Sequence, residues 1–300
     1  MSDTVQTAQH EKYRAALTSV VATLLQTGMK LVVGILTGSL GILAEAAHSG
    51  FDLVAVMVTF MAIRISNKPP DAEHRYGHGK AENLSALFET VLLLGTCAWI
   101  IYEAVERLFF KKVHVEASLW AFVVMIVSIA IDASRSRVLR RAAHKHNSQA
   151  LEADALHFTT DMWCSSVVIL GLLGVKMSDF SPRLDFMHQT DAVAAIGVAM
   201  IVVWICSQLG KRSIQALLDR APEGLARKIE AAIEKLPDVI DCHHVRVRAS
   251  GPNIFVDVHV MVDGSQTLAD AHALTEEIEK EVQKVSPGAD VTVHPEPEPV

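Results

Sequence analysis

Two pairs of ionisable residues with the same spacing lie inside apolar stretches of this 300-residue chain. His48 and Asp52 are four residues apart in one stretch, and His157 and Asp161 are four apart in another. Residues i and i+4 project from one face of an α-helix, so each pair can present a nitrogen and a carboxylate oxygen to a common point. Ionisable groups are costly at membrane depth and usually mark an ion pathway. Two facing pairs would form a His₂Asp₂ site, which suits Zn²⁺ or a related divalent metal.

Such a site would also respond to protons. An imidazole must be neutral and a carboxylate ionised to bind metal, so protons and metal compete for the same atoms. If the site opens alternately to the two sides of a membrane, metal leaves as protons bind. The quartet therefore predicts a site that exchanges metal for protons.

A second group of potential ligands lies between the second and third apolar stretches. Asp71, His74 and His78 share one short polar segment, and glycines flank His78. The glycines predict a tight backbone there. A small surface metal site and an ordinary solvated loop both remain open.

A third group lies in the polar C-terminal region. Valines alternate along 254–262, so a strand there would bury them on one face and place His259 on the other. The same alternation places His294 on that open face, with Glu296 nearby. His243 shares the parity of Val245, which leaves its face open. The pattern predicts a surface for one or two metal ions, and the alternative is a polar sheet face.

The composition excludes several classes of protein. Half of the residues are hydrophobic, which is too apolar for an ordinary soluble protein, and the net charge of −7 gives no sign of nucleic-acid binding. The four cysteines form no CxxC motif and predict no disulfide framework. The first 14 residues are polar and mixed in charge, so no cleaved signal peptide is expected.

Six stretches are long enough to cross the hydrocarbon core as helices of about 20 residues. They are approximately 15–37, 40–65, 84–109, 117–140, 149–175 and 188–210. Loop lysines and arginines are concentrated on the side of the N-terminus, which predicts that this side and both termini are cytoplasmic. The basic run 135–145 is interpreted as an anchor facing anionic lipid.

Other ionisable residues in these stretches carry weaker signals. Glu89, Glu152 and Asp154 are candidates for a proton relay or for helix pairing. Asp132 lies toward the cytoplasmic end of its span, where a carboxylate can reach interfacial water. Neither Asp132 nor Cys242 is given a role.

After residue 213 the apolar runs end and charges become frequent. The expected elements are a helix over 222–236, strands over 239–249 and 254–262, a helix over 268–285 and a short strand over 289–294. The Pro/Glu tail that follows is expected to be disordered. We therefore predict a six-helix transmembrane domain, 1–213, and an α+β cytoplasmic domain of αββαβ order, 214–300.

Four segments resemble the cation diffusion facilitator family of divalent metal/proton antiporters. They are AEAAHSGFD (44–52), RYGHGKAE (75–82), EADALHFTTD (152–161) and SIQALLD (213–219). The likeness extends from the second span to the C-terminal domain, and the RYGHGKAE stretch is highly specific.

The resemblance implies a homodimer with a cytoplasmic domain of metallochaperone-like, ferredoxin-like fold. It implies that the two His/Asp pairs form the transport site and that Asp71, His74 and His78 match a loop site. The implied cytoplasmic ligands are His243, His244, His259, His272, His294 and Glu296. His244 and Glu296 each stand where bacterial zinc-transporting members have Asp. Lys80 and Asp219 match a charged pair that locks the membrane and cytoplasmic parts together.

The expected function is efflux of divalent metal from the cytoplasm across the inner membrane by proton antiport. A histidine at position 48 with its aspartate is the pattern of zinc-preferring relatives, whereas Asp there accompanies Cd²⁺ transport. Imidazole and carboxylate also accept Fe²⁺, Co²⁺ and Ni²⁺, and Fe²⁺ is the main alternative. A non-transporting metal sensor and a passive channel remain as rivals. A zinc peptidase is disfavoured because the sequence has no H-E-x-x-H motif.

Overall fold

The computed structural model describes residues 2–38, 40–109, 119–178 and 187–298. Its N-terminal part contains long helices, and its C-terminal part is a small αββαβ unit, as predicted. The long helices are α1 Ser2–Thr37, α2 Leu40–Ser66, α3 Lys80–Phe109, α4 Leu119–His146, α5 Gln149–Ser178 and α6 Met187–Leu217. They pack chiefly as the pairs α1–α2, α4–α5 and α3–α6, and α2 also contacts α5. The last contact brings together the two helices that carry the His/Asp pairs.

The outer surface of this helical unit is apolar. Side chains such as Leu25, Ile35 and Phe51 are 65–75% exposed, a surface suited to lipid. Within the described residues, four segments are long and apolar enough to cross a membrane: Thr7–Thr37, Ile42–Ser66, Lys80–Glu106 and Ala195–Leu217. Helices α4 and α5 have 28 and 30 residues, or about 42–45 Å at 1.5 Å per residue. That length exceeds the roughly 30 Å hydrocarbon core, but the count of six spans stays a prediction.

Helix α1 begins earlier than the apolar pattern indicates. Its polar first turns continue as helix because they pair with other helices. Lys12 Nζ donates to Glu82 Oε1 of α3 at 2.6 Å, and Lys145 Nζ of α4 donates to Glu11 Oε1 at 2.8 Å. A local hydropathy pattern cannot predict ion pairs between residues that are far apart in the sequence.

The C-terminal unit contains α7 Leu225–Ile233, β1 Asp241–Ser250, β2 Asn253–Val262, α8 Leu268–Val285 and β3 Asp290–Pro297. The sheet order is β1-β2-β3, with β1 antiparallel and β3 parallel to β2. The valines of β2 are buried together with apolar residues of α7 and α8, as the alternation predicts. The opposite sheet face is therefore free to carry polar side chains.

Two boundaries differ from the sequence expectation. Strand β3 continues through Pro297, so the predicted disorder of the Pro/Glu tail is wrong for residues 295–297. Proline has no backbone N–H to donate to a neighbouring strand, and it is tolerated here because β3 lies at the edge of the sheet. Helix α6 also runs through the predicted domain boundary at 213/214 and ends at Leu217.

The two units meet where the α2–α3 loop lies against the β1–β2 turn. A Cβ atom added at Gly79 would lie 2.1 Å from the carbonyl oxygen of Ser250, so only glycine permits this approach. Gly251 N donates to Asn83 Oδ1 at 2.8 Å. The Arg248 guanidinium lies 3.8 Å above the Tyr76 ring. The RYGHGKAE segment is thus the joint between the two units.

Candidate metal sites

Helices α2 and α5 bring three potential ligands to one point inside the helical unit. His157 Nε2 lies 3.1 Å from Asp52 Oδ1 and 3.4 Å from Asp161 Oδ2. One ligand atom from each of these residues falls within 4.8 Å of the other two. Tetrahedral Zn²⁺ with bonds of about 2.0–2.1 Å separates its ligand atoms by roughly 3.3 Å. The observed distances fit one shared ion.

His48 is beside this group but not within it. Its Nε2 is 3.8 Å from Asp52 Oδ1, and its side chain is 47% exposed, against 9% for His157. Three of the four predicted ligands therefore converge, and the fourth, His48, lies just outside their group.

A polar cavity of about 90 Å³ adjoins the ligands and holds charges that the sequence reading missed. Lys30 Nζ donates to Ser49 Oγ at 2.8 Å and to Glu45 Oε2 at 3.2 Å, and all three residues line the cavity. A buried cation this close to a cation site requires a neighbouring anion. The sequence does contain a signal for this residue, because Lys30 is a lone charged residue in an apolar stretch.

Arg135 does not face lipid, contrary to the interpretation of the whole 135–145 run as a surface anchor. Its side chain is 8% exposed, and its guanidinium stacks 3.4 Å from the Phe158 ring and donates to Ser19 Oγ at 2.7 Å. Asp132 is also buried and accepts from Gln26 Nε2 at 3.5 Å. Asp132 and Arg135 both line the cavity, so this carboxylate does not reach interfacial water.

Glu89 and Asp154 belong to the same buried polar region. Thr59 Oγ1 donates to Glu89 Oε1 at 3.1 Å, and Ser19 Oγ donates to Asp154 Oδ2 at 3.1 Å. The second carboxylate oxygens of both residues, and His157 Nδ1, are buried and have no hydrogen-bond partner among the described residues. Such atoms in a native protein call for water or an ion.

Four helix ends on the side of the C-terminal unit converge on Glu82. This residue is fully buried and accepts hydrogen bonds from Lys12 of α1, Ser66 of α2 and Ser148 beside the start of α5. The resemblance placed Glu82 in a motif without giving it a role. Its position makes it the tie between these helix ends.

The loop residues form a compact group. Asp71 Oδ1 lies 3.2 Å from His74 Nδ1, and Asp71 Oδ2 lies 3.2 Å from His78 Nε2. The backbone N–H of His74 donates to Asp71 Oδ1 at 2.6 Å, and this bond lowers the pKa of Asp71. The three residues offer ligand atoms within 4.8 Å of one another, so the arrangement can hold a metal ion.

In the C-terminal unit, strand register gathers the histidines. His259 is paired across β2 with His243 of β1 and with His294 of β3. A β-bulge follows His243, and His244 adopts a φ of 51°. The bulge breaks the parity that left His243 uncertain, and it aims both His243 and His244 toward His259. The ring centroids of His243 and His244 lie 5.8 and 5.2 Å from that of His259.

Two overlapping ligand groups result, and His259 belongs to both. One is His243, His244 and His259, and the other is His259, His294 and Glu296. The hydrogen bond to His259 Nδ1 at 2.7 Å lowers the pKa of Glu296. Asp241, which the sequence reading missed, lies 2.9 Å from His243 Nδ1 and can orient that ring.

Two neighbouring residues stand apart from these groups. His272 on α8 is 74% exposed, and its Nε2 lies 3.7 Å from Glu276 Oε1. Within this chain it does not join the other histidines, because α8 packs on the opposite sheet face. Cys242 lies in the apolar core, and burial raises the pKa of its thiol to about 11, which excludes it from the ligand face.

The predicted interdomain pair is present as an ion pair. Lys80 Nζ lies 2.9 Å from Asp219 Oδ1, and it donates to the carbonyl oxygen of Leu217 at 3.3 Å. Both side chains remain about 40% exposed, so this pair contributes modestly beside the glycine contact.

Comparisons with known proteins cover both units. Residues 16–218 match the cation efflux transmembrane domain, and residues 221–298 match the cytoplasmic domain of cation efflux proteins. The chain is 32% identical over 295 residues to the cation-efflux pump FieF of Shewanella oneidensis, covering 97% of each chain. It is 29% identical over 286 residues to the pump of that name from Pectobacterium atrosepticum, covering 94% of this chain and 92% of that one.

Solved structures match the C-terminal unit. The metal-bound C-terminal domain of the CzcD transporter from Thermotoga maritima is 39% identical, covering 24% of this chain and 86% of that chain, with a TM-score of 0.23. The zinc form of the putative zinc transporter CzrB is 29% identical, covering 26% and 89%, with a TM-score of 0.25.

The family resemblance noted in the sequence is thereby confirmed. Together, the helical unit, the αββαβ unit and these matches place the chain in the cation efflux family, also called cation diffusion facilitators, as a multi-pass divalent-cation transporter with a cytoplasmic C-terminal domain and not an enzyme.

Proposed function

We propose that this protein exports Zn²⁺ from the cytoplasm in exchange for protons, and that His48, Asp52, His157 and Asp161 bind the transported ion. The observation that carries the proposal is the convergence of Asp52, His157 and Asp161 from two helices, with ligand atoms within 4.8 Å. A nitrogen and carboxylate oxygens at this spacing match the demands of a small divalent metal.

The exchange follows from the ligand chemistry. From the cytoplasm, the ion meets neutral imidazole and ionised carboxylates, and it binds. When the helices move and the site opens to the outer side, protons compete for the same nitrogen and oxygen atoms and release the ion. His48, which stands outside the convergent group, completes the coordination in one of these two states.

Zn²⁺ is proposed over Fe²⁺ because the quartet offers four ligands, and a tetrahedral set of two imidazoles and two carboxylates suits zinc. Cd²⁺, Co²⁺ and Ni²⁺ remain possible substrates, since imidazole accepts several of these metals. Fe²⁺ is the main competitor.

The surrounding assignments form part of the same proposal. The protein is a homodimer in the inner membrane, with six spans in residues 1–213, a cytoplasmic unit in residues 214–300 and both termini in the cytoplasm. Cytoplasmic metal binds the histidine groups of the sheet and the loop group of Asp71, His74 and His78. Binding at the sheet tightens the dimer and raises transport, and the RYGHGKAE joint transmits that change to the helices.

The test is metal uptake into proteoliposomes with the purified protein, using Zn²⁺, Fe²⁺, Cd²⁺, Co²⁺ and Ni²⁺ with and without a pH gradient. We expect gradient-dependent uptake that is strongest for Zn²⁺, and broader uptake of Cd²⁺ after His48→Asp. A Ser165→Ala variant, altered in the same cavity, should behave as wild type.

Each rival has a distinct outcome in this assay. Metal flux that ignores the pH gradient would indicate a passive channel. Metal binding without any flux would indicate a sensor. Preferred uptake of Fe²⁺, or a metal panel that His48→Asp leaves unchanged, would contradict the zinc assignment and leave metal efflux itself intact.

A further inference from the structure

A groove of about 400 Å³ lies on the helical unit between the α4–α5 pair and α6, away from the metal sites. Its floor is formed by buried side chains that include Leu156 and Val202, and its rims carry the exposed side chains of Trp163 and Ile201. Its volume is in the roughly 300–1,000 Å³ range of ligand pockets. The groove is thus a formed, mainly apolar cleft that is open on the outer surface of the helical unit.

Two arginines stand at one end of this groove. Arg137 and Arg140 both line it and both are exposed. Neither guanidinium has a carboxylate partner among the described residues, and no acidic side chain lines the groove. Two other basic residues nearby point elsewhere, since Arg135 is buried against Phe158 and Arg212 donates to Glu152 Oε1 at 2.7 Å.

The position of the arginines along the helices is also informative. Helix α4 ends at His146 with basic residues in its last turn, and Arg140 lies about one and a half turns before that end. From Arg140 to Ala133, at the other end of the groove, α4 rises about 10 Å. With α4 crossing the membrane as proposed, the charged end lies at the headgroup level and the apolar end extends into the hydrocarbon, since long basic side chains reach toward the interface.

We propose that the groove binds one anionic glycerophospholipid, whose phosphate contacts Arg137 and Arg140 and whose acyl chain lies against Leu156 and Val202. Charge complementarity selects this occupant, because two unpaired cations at the mouth of an apolar cleft match a phosphate joined to a hydrocarbon chain. The hydroxyls of Ser136 and Thr159 lie 2.6 Å apart in the groove wall and are uncharged. They therefore place no buried charge against the acyl chain.

The bound lipid would act on the helix arrangement. The groove lies beside the contact between α6 and α5, the helix that carries His157 and Asp161. A lipid chain in the groove contacts α4, α5 and α6 together, so it stabilises the helix packing seen here. The proposal depends on the membrane location of the chain, and it stands independently of which metal is transported.

The test measures lipid retention by native mass spectrometry of the full-length protein in detergent, after addition of phosphatidylglycerol or phosphatidylcholine. We expect wild type to retain phosphatidylglycerol preferentially. The Arg137→Gln/Arg140→Gln variant should weaken that binding about 30-fold, which corresponds to roughly 1 kcal/mol per arginine. Arg141→Gln, on the same helix but outside the groove, is the matched control and should retain the lipid.

A second variant tests the apolar part of the groove. Ile201→Trp should fill the cleft and lower retention, whereas Met200→Trp, an equally exposed neighbour outside the groove, should not. Equal retention of the two lipids, or equal losses in the groove variants and their controls, would overturn the proposal. So would cross-linking of Ile201→Cys to a second copy at every lipid ratio, because a protein surface would then occupy the groove.

Discussion

The membrane ligands and the cytoplasmic histidines build metal-binding geometry in opposite ways. In the helical unit, three potential ligands converge from α2 and α5, and two of them, Asp52 and His157, are buried. Other buried charges, such as Lys30 and Arg135, lie nearby. On the cytoplasmic sheet, strand register fixes the ligands on one partly exposed face, and His259 is shared by two groups.

The two regions differ in whether their potential ligands must move to form a metal site. Neighbouring strands are held by a hydrogen-bonded ladder, so the sheet ligands are positioned before metal arrives. The membrane ligands lie on separate helices, and His48 is still outside the convergent group. A site formed by two packed helices can be assembled and opened by a helix shift, as the proposed transport requires, whereas the fixed sheet positions suit the proposed regulatory binding.

The largest expected effect concerns the membrane ligands. Asp161→Ala removes one of three convergent ligands and should abolish proteoliposome uptake of Zn²⁺. Under the same assay His294→Ala, which removes one ligand from the sheet, should leave transport at high metal measurable. Comparable losses in both variants would erase the proposed division between the two regions.

The next largest effect is expected when a glutamate of the helical unit and a glutamate of the sheet are each replaced by alanine. Glu82→Ala leaves the buried Lys12 ammonium without its partner and should cost about 3–5 kcal/mol of stability. Glu296→Ala removes a partly exposed carboxylate and should leave stability nearly unchanged. Thermal unfolding of both purified variants in detergent measures this, and similar melting temperatures would contradict the reading of Glu82 as the tie between helix ends.

The joint between the regions offers a third test. Gly79→Ala places a Cβ atom against the Ser250 carbonyl and should force the α2–α3 loop away from the β1–β2 turn. We expect basal uptake to persist while its stimulation by cytoplasmic metal is reduced. Gly95→Ala on α3, where a Cβ atom meets nothing within 4 Å, is the control. Unchanged stimulation would mean that the signal passes elsewhere.

A smaller effect is expected within the sheet. In an Asp161→Ala background, His259→Ala should remove more bound Zn²⁺ than His294→Ala, because His259 belongs to both ligand groups. Calorimetric titration of the full-length variants gives the stoichiometry. Binding should also weaken as the pH falls, because protons compete with Zn²⁺ for the same ligand atoms. Identical stoichiometries for the two variants would exclude shared use of His259.

The smallest effect is expected at His272. Since its side chain is solvent-exposed on α8 and pairs with Glu276, His272→Ala should leave Zn²⁺ stoichiometry and affinity unchanged in the same titration. The loss of a bound ion would instead show that His272 is a ligand of the cytoplasmic site, as the family resemblance implied.

The sequence by itself determined those relations in which a regular helix or strand repeat is maintained. The four-residue spacing of His48 with Asp52, and of His157 with Asp161, places each pair on one helix face in any structure. Strand alternation likewise separates His259 from the buried valines. These follow because 3.6 residues per helical turn and two per strand repeat fix side-chain direction without reference to the rest of the chain.

Only the tertiary structure decided which faces meet. It brought α2 against α5, buried Lys12 and Arg135 in pairs with distant residues, and left His272 on the far side of its sheet. It also turned His244 toward His259 through a bulge. Spacing along the chain sets the direction of a side chain, but its partners are chosen by packing between elements far apart in sequence, and no local pattern encodes that choice.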